Sequence, residues 1–232
     1  MDSFILKGKI HTYLVYRFIY EPVASNMYVV LRGNEAVIVD PHESDALIAL
    51  LKQRHICMVN IILTHEHFDH TSGLRWLCDL YPSTIYCQKS CAATIAVKRE
   101  NNPSLIALVL ANKDKVDGGS RYADFRQNFK QYSCKADYTF QNEVLWNIAG
   151  IEVRGISTPG HSPGSAFYYI DDVLAFSGDT MLRDVPVVTR LRSSSHIDYE
   201  QKTVPYLKSL NPELILIPGH GTPFKVKDAQ YI

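Results

Sequence analysis

Seven histidine and aspartate residues lie in four short segments of this 232-residue chain, and each segment directly follows an apolar, strand-like run. The segment Thr64–His70 reads Thr-His-Glu-His-Phe-Asp-His, so three histidines and an aspartate fall within six residues. The full set is His65, His67, Asp69, His70, His161, Asp179 and His220. Because loops at strand ends can converge on one edge of a rigid scaffold, a fold that gathers these strand ends would collect all seven side chains in one place.

The chemistry of these side chains indicates metal ions. Imidazole nitrogens and carboxylate oxygens suit Zn²⁺, Fe²⁺ or Mn²⁺, and no cysteine belongs to the set. Glycines beside His161, Asp179 and His220 permit the close backbone approach that such loops need. The pattern predicts a two-metal enzyme, with hydrolysis as the leading chemistry.

Hydropathy patterning predicts alternating strands and helices. We expect strands at 27–31, 36–39, 60–63, 84–87, 151–157, 166–170, 173–176 and 214–217, and helices at 45–53, 71–80 and 199–210. This order suggests two sheets packed face to face with helices outside them.

The region 89–138 differs from the rest, since it is helical in pattern, more charged and free of candidate ligands. Tyr122, Phe125, Phe129 and Tyr132 recur at helical spacing. We expect this stripe to dock a helical insert onto the domain. A lid over the substrate mouth, or an interface, is the alternative.

Composition argues against several classes of protein, among them nucleic-acid-binding, secreted and membrane proteins. Lys plus Arg and Asp plus Glu number 24 each, so no net charge attracts nucleic acid or membrane. The five cysteines are odd in number and form no Cys-x-x-Cys pair, which favours reduced, mostly buried thiols. The first residues lack a signal-peptide pattern, and no run reaches the ~18 apolar residues of a membrane span. We expect a soluble cytoplasmic protein; its oligomeric state is left open.

The motifs resemble those of the metallo-β-lactamase-fold superfamily, and of its glyoxalase II-like hydrolase branch, over about residues 25–223. The matching pieces are Val39-Asp40, Thr64–His70, Thr158–His161, Ser177–Thr180 and Pro218–Gly221. The resemblance implies an α+β fold, a four-layer αββα sandwich that forms a single domain over 1–232 with the helical insert at about 89–138. Secreted zinc β-lactamases differ in carrying Cys near position 179, and the oxygen-reducing diiron branch has Glu in place of His67.

The same resemblance implies how the side chains divide between two metal ions. One ion would be held by His65, His67 and His161, a second by Asp69, His70 and His220, and Asp179 would bridge them. The ions are expected to be Zn²⁺, with iron or manganese as alternatives. Two divalent ions, two aspartates and one hydroxide leave net positive charge, which suits an anionic substrate or a developing oxyanion. The resemblance also implies that Asp69 orients the hydroxide, and Asp40, at a strand end, is expected to orient the ligand loop.

The leading hypothesis is therefore a dinuclear hydrolase whose metal-bridging hydroxide cleaves a small ester, thioester or lactone. A mononuclear iron persulfide dioxygenase is the first alternative, because it uses much the same ligands. A nucleic-acid phosphodiesterase is the second, and zero net charge counts against it. A non-catalytic binding module is the least favoured interpretation.

The remaining histidines carry weaker signals. His196 follows three serines and precedes a predicted helix, so helix capping by a neighbouring Ser or Asp is favoured over substrate contact by His196. His11, His42 and His55 are expected to face solvent.

Overall fold

Two β-sheets form the centre of the protein, which we describe from a computed structural model over residues 1–7, 12–100, 103–129, 131–172 and 174–231. The first sheet has seven strands in the order β1 to β7. They are β1 Asp2–Lys7, β2 Thr12–Tyr20, β3 Ser25–Arg32, β4 Glu35–Val39, β5 Met58–Leu63, β6 Ser83–Gln88 and β7 Tyr138–Phe140. Strands β1 to β4 pair antiparallel and β4 to β7 pair parallel.

The second sheet has six strands, in the order β13-β12-β11-β10-β9-β8. They are β8 Glu143–Ile148, β9 Ile151–Ser157, β10 Ala166–Ile170, β11 Leu174–Gly178, β12 Ile215–Pro218 and β13 Phe224–Lys225. Only β11 and β12 pair parallel among its described strand pairs.

Helices and short helical turns connect the strands. They are α1 Asp45–Gln53, α2 Phe68–Thr71, α3 Leu74–Leu80, α4 Lys89–Ile95, α5 Ser104–Asp117, α6 Arg121–Asn128, α7 His196–Asp198, a π-turn Tyr199–Thr203, α8 Val204–Lys208 and a 3₁₀ turn Val226–Asp228. Within the described ranges, no helix combines the length and apolar character needed to cross a membrane.

Alternation along the strands divides the interior into three apolar layers. Tyr28 and Val30 of β3 face the second sheet and pack with Tyr168 and Phe176 between the sheets. The outer face of the first sheet packs against α1, α3, α4 and α5, and the outer face of the second packs against the π-turn and α8. The four-layer αββα sandwich expected from the sequence is therefore confirmed.

Helix α1 shows how local sequence sets an element. The Ser44 hydroxyl accepts a hydrogen bond from the Leu47 amide at 3.3 Å, which caps the first turn. Leu47, Leu50 and Leu51 are buried on one face. The bounds of α1 agree with the sequence prediction for 45–53.

The predicted helix at 71–80 was wrong as a single element, because Ser72 and Gly73 separate α2 from α3. A Cβ on Gly73 would lie 2.5 Å from the carbonyl carbon of His42, and the Gly73 amide donates to the Pro41 carbonyl at 2.9 Å. This close approach of two chain segments interrupts the helix.

The predicted helix at 199–210 begins instead as the π-turn and ends at Lys208. Pro205 lies at the start of α8 and has no amide hydrogen, so the regular i to i−4 bonding cannot run through this point. The strand predicted at 173–176 is observed as β11, with residue 173 outside the described residues.

The helical stripe predicted over 122–132 was also wrong as one helix. Helix α6 ends at Asn128, where the Phe129 backbone turns extended, so Phe129 and Tyr132 lie beyond it. Tyr122 is exposed, whereas Phe125, Phe129 and Tyr132 pack against the first-sheet core. Near the end of the 89–138 region, Tyr138 already belongs to β7.

Candidate metal centre

The four ligand-bearing segments meet at one edge of the sandwich. Residues 65–70 follow β5 of the first sheet, whereas His161, Asp179 and His220 follow β9, β11 and β12 of the second. The two sheets are joined at this edge, because the Asn26 amide at the start of β3 donates to the Gly219 carbonyl at 2.7 Å. All seven side chains predicted from the sequence are thus brought together.

A first group contains His65, His67 and His161, whose ligand atoms lie within 4.8 Å of one another. The Nδ1 atom of His67 is 2.9 Å from the Nε2 atom of His161. The ring centroids of His65 lie 4.7 Å from His67 and 5.0 Å from His161. Three imidazoles therefore face a common point.

A second group contains Asp69, His70 and His220, again with ligand atoms within 4.8 Å of one another. The Oδ2 atom of Asp69 is 3.3 Å from the Nε2 atoms of both His70 and His220. His70 is fully buried, and the His220 side chain is 28% exposed. This group is thus the more open of the two.

Asp179 contacts both groups. Its Oδ2 atom lies 3.6 Å from Nε2 of His161 and 3.4 Å from Nε2 of His220, and its Oδ1 atom lies 3.5 Å from Nε2 of His70. A single carboxylate is therefore positioned between the two sets of donors.

Hydrogen bonds behind the rings determine which nitrogens face the centre. His161 Nδ1 donates to the Val188 carbonyl at 2.9 Å, because a carbonyl can only accept. The Thr64 hydroxyl donates to Asp40, so His65 Nδ1 is the donor in its 3.0 Å contact with Thr64 Oγ1. The Nε2 lone pairs of both histidines are left facing inward.

Asp40 is buried behind His70 and does not face the centre. It accepts from the Thr64 amide at 2.7 Å, from the Thr64 hydroxyl at 2.6 Å and from His70 Nδ1 at 3.0 Å. Asp40, His65 and His70 also form a cluster of possible ligand atoms. The Asp40 carboxylate is nevertheless occupied by its three hydrogen bonds from Thr64 and His70. Asp40 thus orients His70 directly and His65 through Thr64.

The two groups of candidate ligands differ in the protonation of their histidines. Burial, together with the neighbouring His161, lowers the pKa of His67 to about 4. Burial alone would lower the pKa of His220 as well, but the Asp179 and Asp69 carboxylates raise it to about 10. The first group therefore presents neutral nitrogens at pH 7, whereas in the second group a protonated His220 offsets the negative charge of the carboxylates, a role that a bound cation would take over.

The donor atoms fit metal ions. Nε2 of His65, Nε2 of His70 and Oδ1 of Asp179 are buried without a hydrogen-bond partner, which is costly unless something else satisfies them. Ligands ~2.0 Å from a tetrahedral Zn²⁺ stand about 3.3 Å apart. The distances between donor atoms of the candidate ligands, from 2.9 Å for His67 Nδ1 and His161 Nε2 to 3.6 Å for His161 Nε2 and Asp179 Oδ2, match that spacing.

Gly219 provides the room that these donors need. A Cβ at this position would lie 2.2 Å from Oδ1 of Asp179 and 2.7 Å from Cε1 of His70. Any larger residue would push both side chains out of place, so the Pro-Gly-His-Gly segment requires glycine here.

The other histidines divide differently from the sequence expectation. His42, expected to face solvent, is 4% exposed and packs with its ring centroid 5.4 Å from that of Tyr20, so that prediction was wrong. His55 is exposed, and His11 lies outside the described residues. Ser195 caps α7 by accepting from the Asp198 amide, and the exposed His196 contacts Thr189 Oγ1 at 3.2 Å.

Several residues that support the centre were missed in the sequence. Ser25 Oγ donates to the Asp69 carbonyl at 3.0 Å, and Ser194 Oγ donates to the His161 carbonyl at 2.6 Å. Serines of this kind carry no distinctive signal. Thr64 was identifiable in principle, because it stands between the strand and the first histidine of the motif.

Comparison with known proteins gives consistent matches. The sequence model of the metallo-beta-lactamase superfamily matches residues 20–220. The probable polyketide biosynthesis zinc-dependent hydrolase BaeB of Bacillus velezensis is 25% identical over 216 residues, or 91% of this chain and 80% of that protein. Glyoxylase B2 of Dictyostelium discoideum is 30% identical over 139 residues, or 60% of this chain and 41% of that protein. The crystal structure of BLEG-1 B3 metallo-beta-lactamase has a TM-score of 0.69 and 26% identity, covering 92% of this chain and 95% of that one.

Proposed function

Because this chain belongs to the metallo-β-lactamase superfamily, in its glyoxalase II-like branch, we propose that it is a dinuclear zinc hydrolase acting on a small ester, thioester or lactone. One observation carries the proposal: two complete donor groups lie on either side of a shared carboxylate, Asp179. The zinc-dependent hydrolase among the relatives supports the choice of metal and of reaction class.

The candidate ligands divide between two metal ions. His65, His67 and His161 would hold one ion, and Asp69, His70 and His220 the other, with Asp179 touching both. When bound, the ions would supply an activated water near neutral pH and a positive charge that stabilises the oxyanion. Such a site suits an anionic substrate, and a small molecule rather than nucleic acid is the proposed partner.

Asp69 is the residue that we propose to handle the proton. Its side chain is 12% exposed at the edge of the cluster, and its Oδ2 atom lies between the nitrogens of His70 and His220. From this position the carboxylate can orient an attacking water and accept its proton. General base catalysis of this kind contributes about 10²–10⁴-fold to a rate.

The alternatives make different demands on the same side chains. A mononuclear iron dioxygenase would leave the second group of donors without a metal, whereas that group is complete and its Asp69 carboxylate lies within 3.3 Å of the Nε2 atoms of His70 and His220. A nucleic-acid phosphodiesterase would gain from a basic surface, and the formal net charge is zero.

The test begins with metal content. We expect about two zinc ions per chain by plasma mass spectrometry of protein purified without added metal, and hydrolysis of at least one member of an ester, thioester and lactone panel.

Asp69→Ala should lower turnover by about 10²-fold or more while circular dichroism is unchanged. His55→Ala, a change at an exposed histidine, is the control and should retain full turnover. About one iron per chain with sulfite production from a persulfide, or unchanged turnover in Asp69→Ala, would contradict the proposal.

A further inference from the structure

Glu66 lies between the two candidate ligands His65 and His67 in the chain, yet its carboxylate belongs to neither donor group. It is 8% exposed. The carboxylate reaches the loop that carries His161: the Ser162 hydroxyl donates to Oε2 at 2.9 Å, and the Gly164 amide donates weakly to Oε1 at 3.4 Å. Glu66 therefore connects the first ligand loop with the second.

The loop on the far side of this contact is itself closely bonded. The Ser162 amide donates to Ser165 Oγ at 3.1 Å, and the two serine hydroxyls are 3.0 Å apart. The Ala166 amide then donates to the Thr64 carbonyl at 2.9 Å. Displacement of Ser162 would thus be passed to His161, which precedes it in the chain.

The Glu66 carboxylate occupies space that is left by the absence of a side chain at Gly164. A Cβ on Gly164 would lie 2.2 Å from Oε2 of Glu66 and 2.5 Å from the backbone nitrogen of Cys91. No salt bridge to Glu66 is formed within the described residues, so the Ser162 hydroxyl, the Gly164 amide and the backbone amide of Glu66 are the groups that compensate its burial. Burial accordingly raises the pKa of Glu66. A buried acid kept under these conditions calls for a role other than stabilising the core.

We propose that Glu66 is a positioning residue for the His65–His67–His161 group, setting the distance between the loop of the first two histidines and the third through its bond to Ser162. The inference rests on the proposed function, because it takes this group to hold a metal ion. Groups that hold ligands in place commonly change metal affinity 10–100-fold when removed. The effect should be selective, because the second group is held by other contacts: Ser25 bonds to the Asp69 carbonyl and bridges to the His220 backbone, and Asp40 bonds to His70.

The test is a titration of the metal-free protein with Zn²⁺ in competition with a chromophoric chelator. Wild type should show two binding steps, and His220→Ala identifies the step that belongs to the second group. Glu66→Ala and the milder Ser162→Ala should weaken the other step by about 10–100-fold and leave the His220 step unchanged. Glu66→Gln should recover much of the loss, because its amide oxygen can still accept from Ser162. Glu100→Ala, at an exposed glutamate, is the control and should match wild type.

The outcomes separate the inference from the function on which it rests. Two unchanged steps in Glu66→Ala would overturn the positioning role alone. Equal weakening of both steps, together with a lower melting temperature of the metal-free form, would overturn it in favour of a general structural role. A wild-type chain that binds no zinc in either step would overturn the proposed function and this inference with it.

Discussion

The thiol of Cys78 lies in surroundings that favour its deprotonated form. Its pKa falls to about 7, because the Cys134 thiol donates a hydrogen bond to it, aided by the Ser83 hydroxyl and the Arg75 guanidinium, and these outweigh partial burial. The sequence alone indicated only that the cysteines are reduced and mostly buried. Cys87 and Cys91 are buried, whereas Cys57 is exposed.

Alkylation should therefore report on this environment. Because the thiolate is the reactive form, modification of Cys78 by iodoacetamide should rise as the pH passes through about 7. In Cys134→Ala the donor is lost, and the midpoint should move to higher pH. Peptide mass spectrometry across a pH series measures both midpoints. An identical midpoint in the two proteins would contradict the assigned cause.

Candidate ligands could be predicted from the sequence because their chemistry restricts residue type. Three histidines and one aspartate in Thr64–His70 leave few other interpretations, and the structure brings them close together. The residues that orient them could not be found in the same way. The Val188 carbonyl that fixes His161 belongs to the backbone, so any side chain could stand there. Glu66 was hidden for a different reason, since its position inside the motif gives no indication of the direction of its side chain.

Aromatic packing attaches the segment after α6 to the helix that carries Asp69 and His70. The Phe68 ring centroid lies 5.0 Å from that of Phe129 and 6.2 Å from that of Phe125. The Tyr132 hydroxyl donates to the Thr71 carbonyl at 2.5 Å. These contacts favour docking of the insert onto the domain over a free lid.

Removing one ring should loosen this attachment. Phe129 is half-buried, so we expect Phe129→Ala to lower the free energy of unfolding by about 2 kcal/mol, less than the ~3–5 kcal/mol of a fully buried ring. Urea unfolding measures the change, and proteolysis within 103–129 should become faster. Tyr122→Ala, at an exposed ring of the same region, should change stability by less than about 0.5 kcal/mol. Unchanged stability with a raised KM would instead indicate a lid.

Helices and strands whose apolar residues recur at regular spacing could be predicted from the sequence. Those whose bounds depend on contacts with distant segments of the chain could not. Helix α1 has a cap, a single apolar face and predicted bounds that the structure confirms. The break between α2 and α3 depends on the approach of His42 to Gly73, which is 31 residues away in the chain and leaves no local pattern. Strand β8 was missed because three of its six residues are exposed and one of these, Leu145, is apolar, so the run Val144-Leu145-Trp146 does not show which face of the strand is turned to the core.

The two sheets meet twice, once through the apolar layer between them and once through the candidate ligands. Tyr28 and Val30 of the first sheet pack against Tyr168 and Phe176 of the second. At the edge, the residue 65–70 loop from the first sheet faces His161, Asp179 and His220 from the second. The family resemblance implied how these ligands divide between two metal ions, but neither which sheet carries each of them nor how far the packing alone would hold the sheets together.

If ions bind at this edge, they bind only the assembled sandwich, because the unfolded chain separates the donors. Ligands that bind the folded state alone stabilise it by about 4 kcal/mol at a free concentration of ~1,000 Kd. Removal of metal by a chelator should therefore lower the melting temperature of wild type by several degrees, and added Zn²⁺ should restore it. His220→Ala, with one donor group incomplete, should respond less to both treatments. The melting temperature is read by circular dichroism, and plasma mass spectrometry verifies that the ions have left. A wild-type melting temperature that stays constant after verified removal would mean that the apolar layer alone joins the sheets.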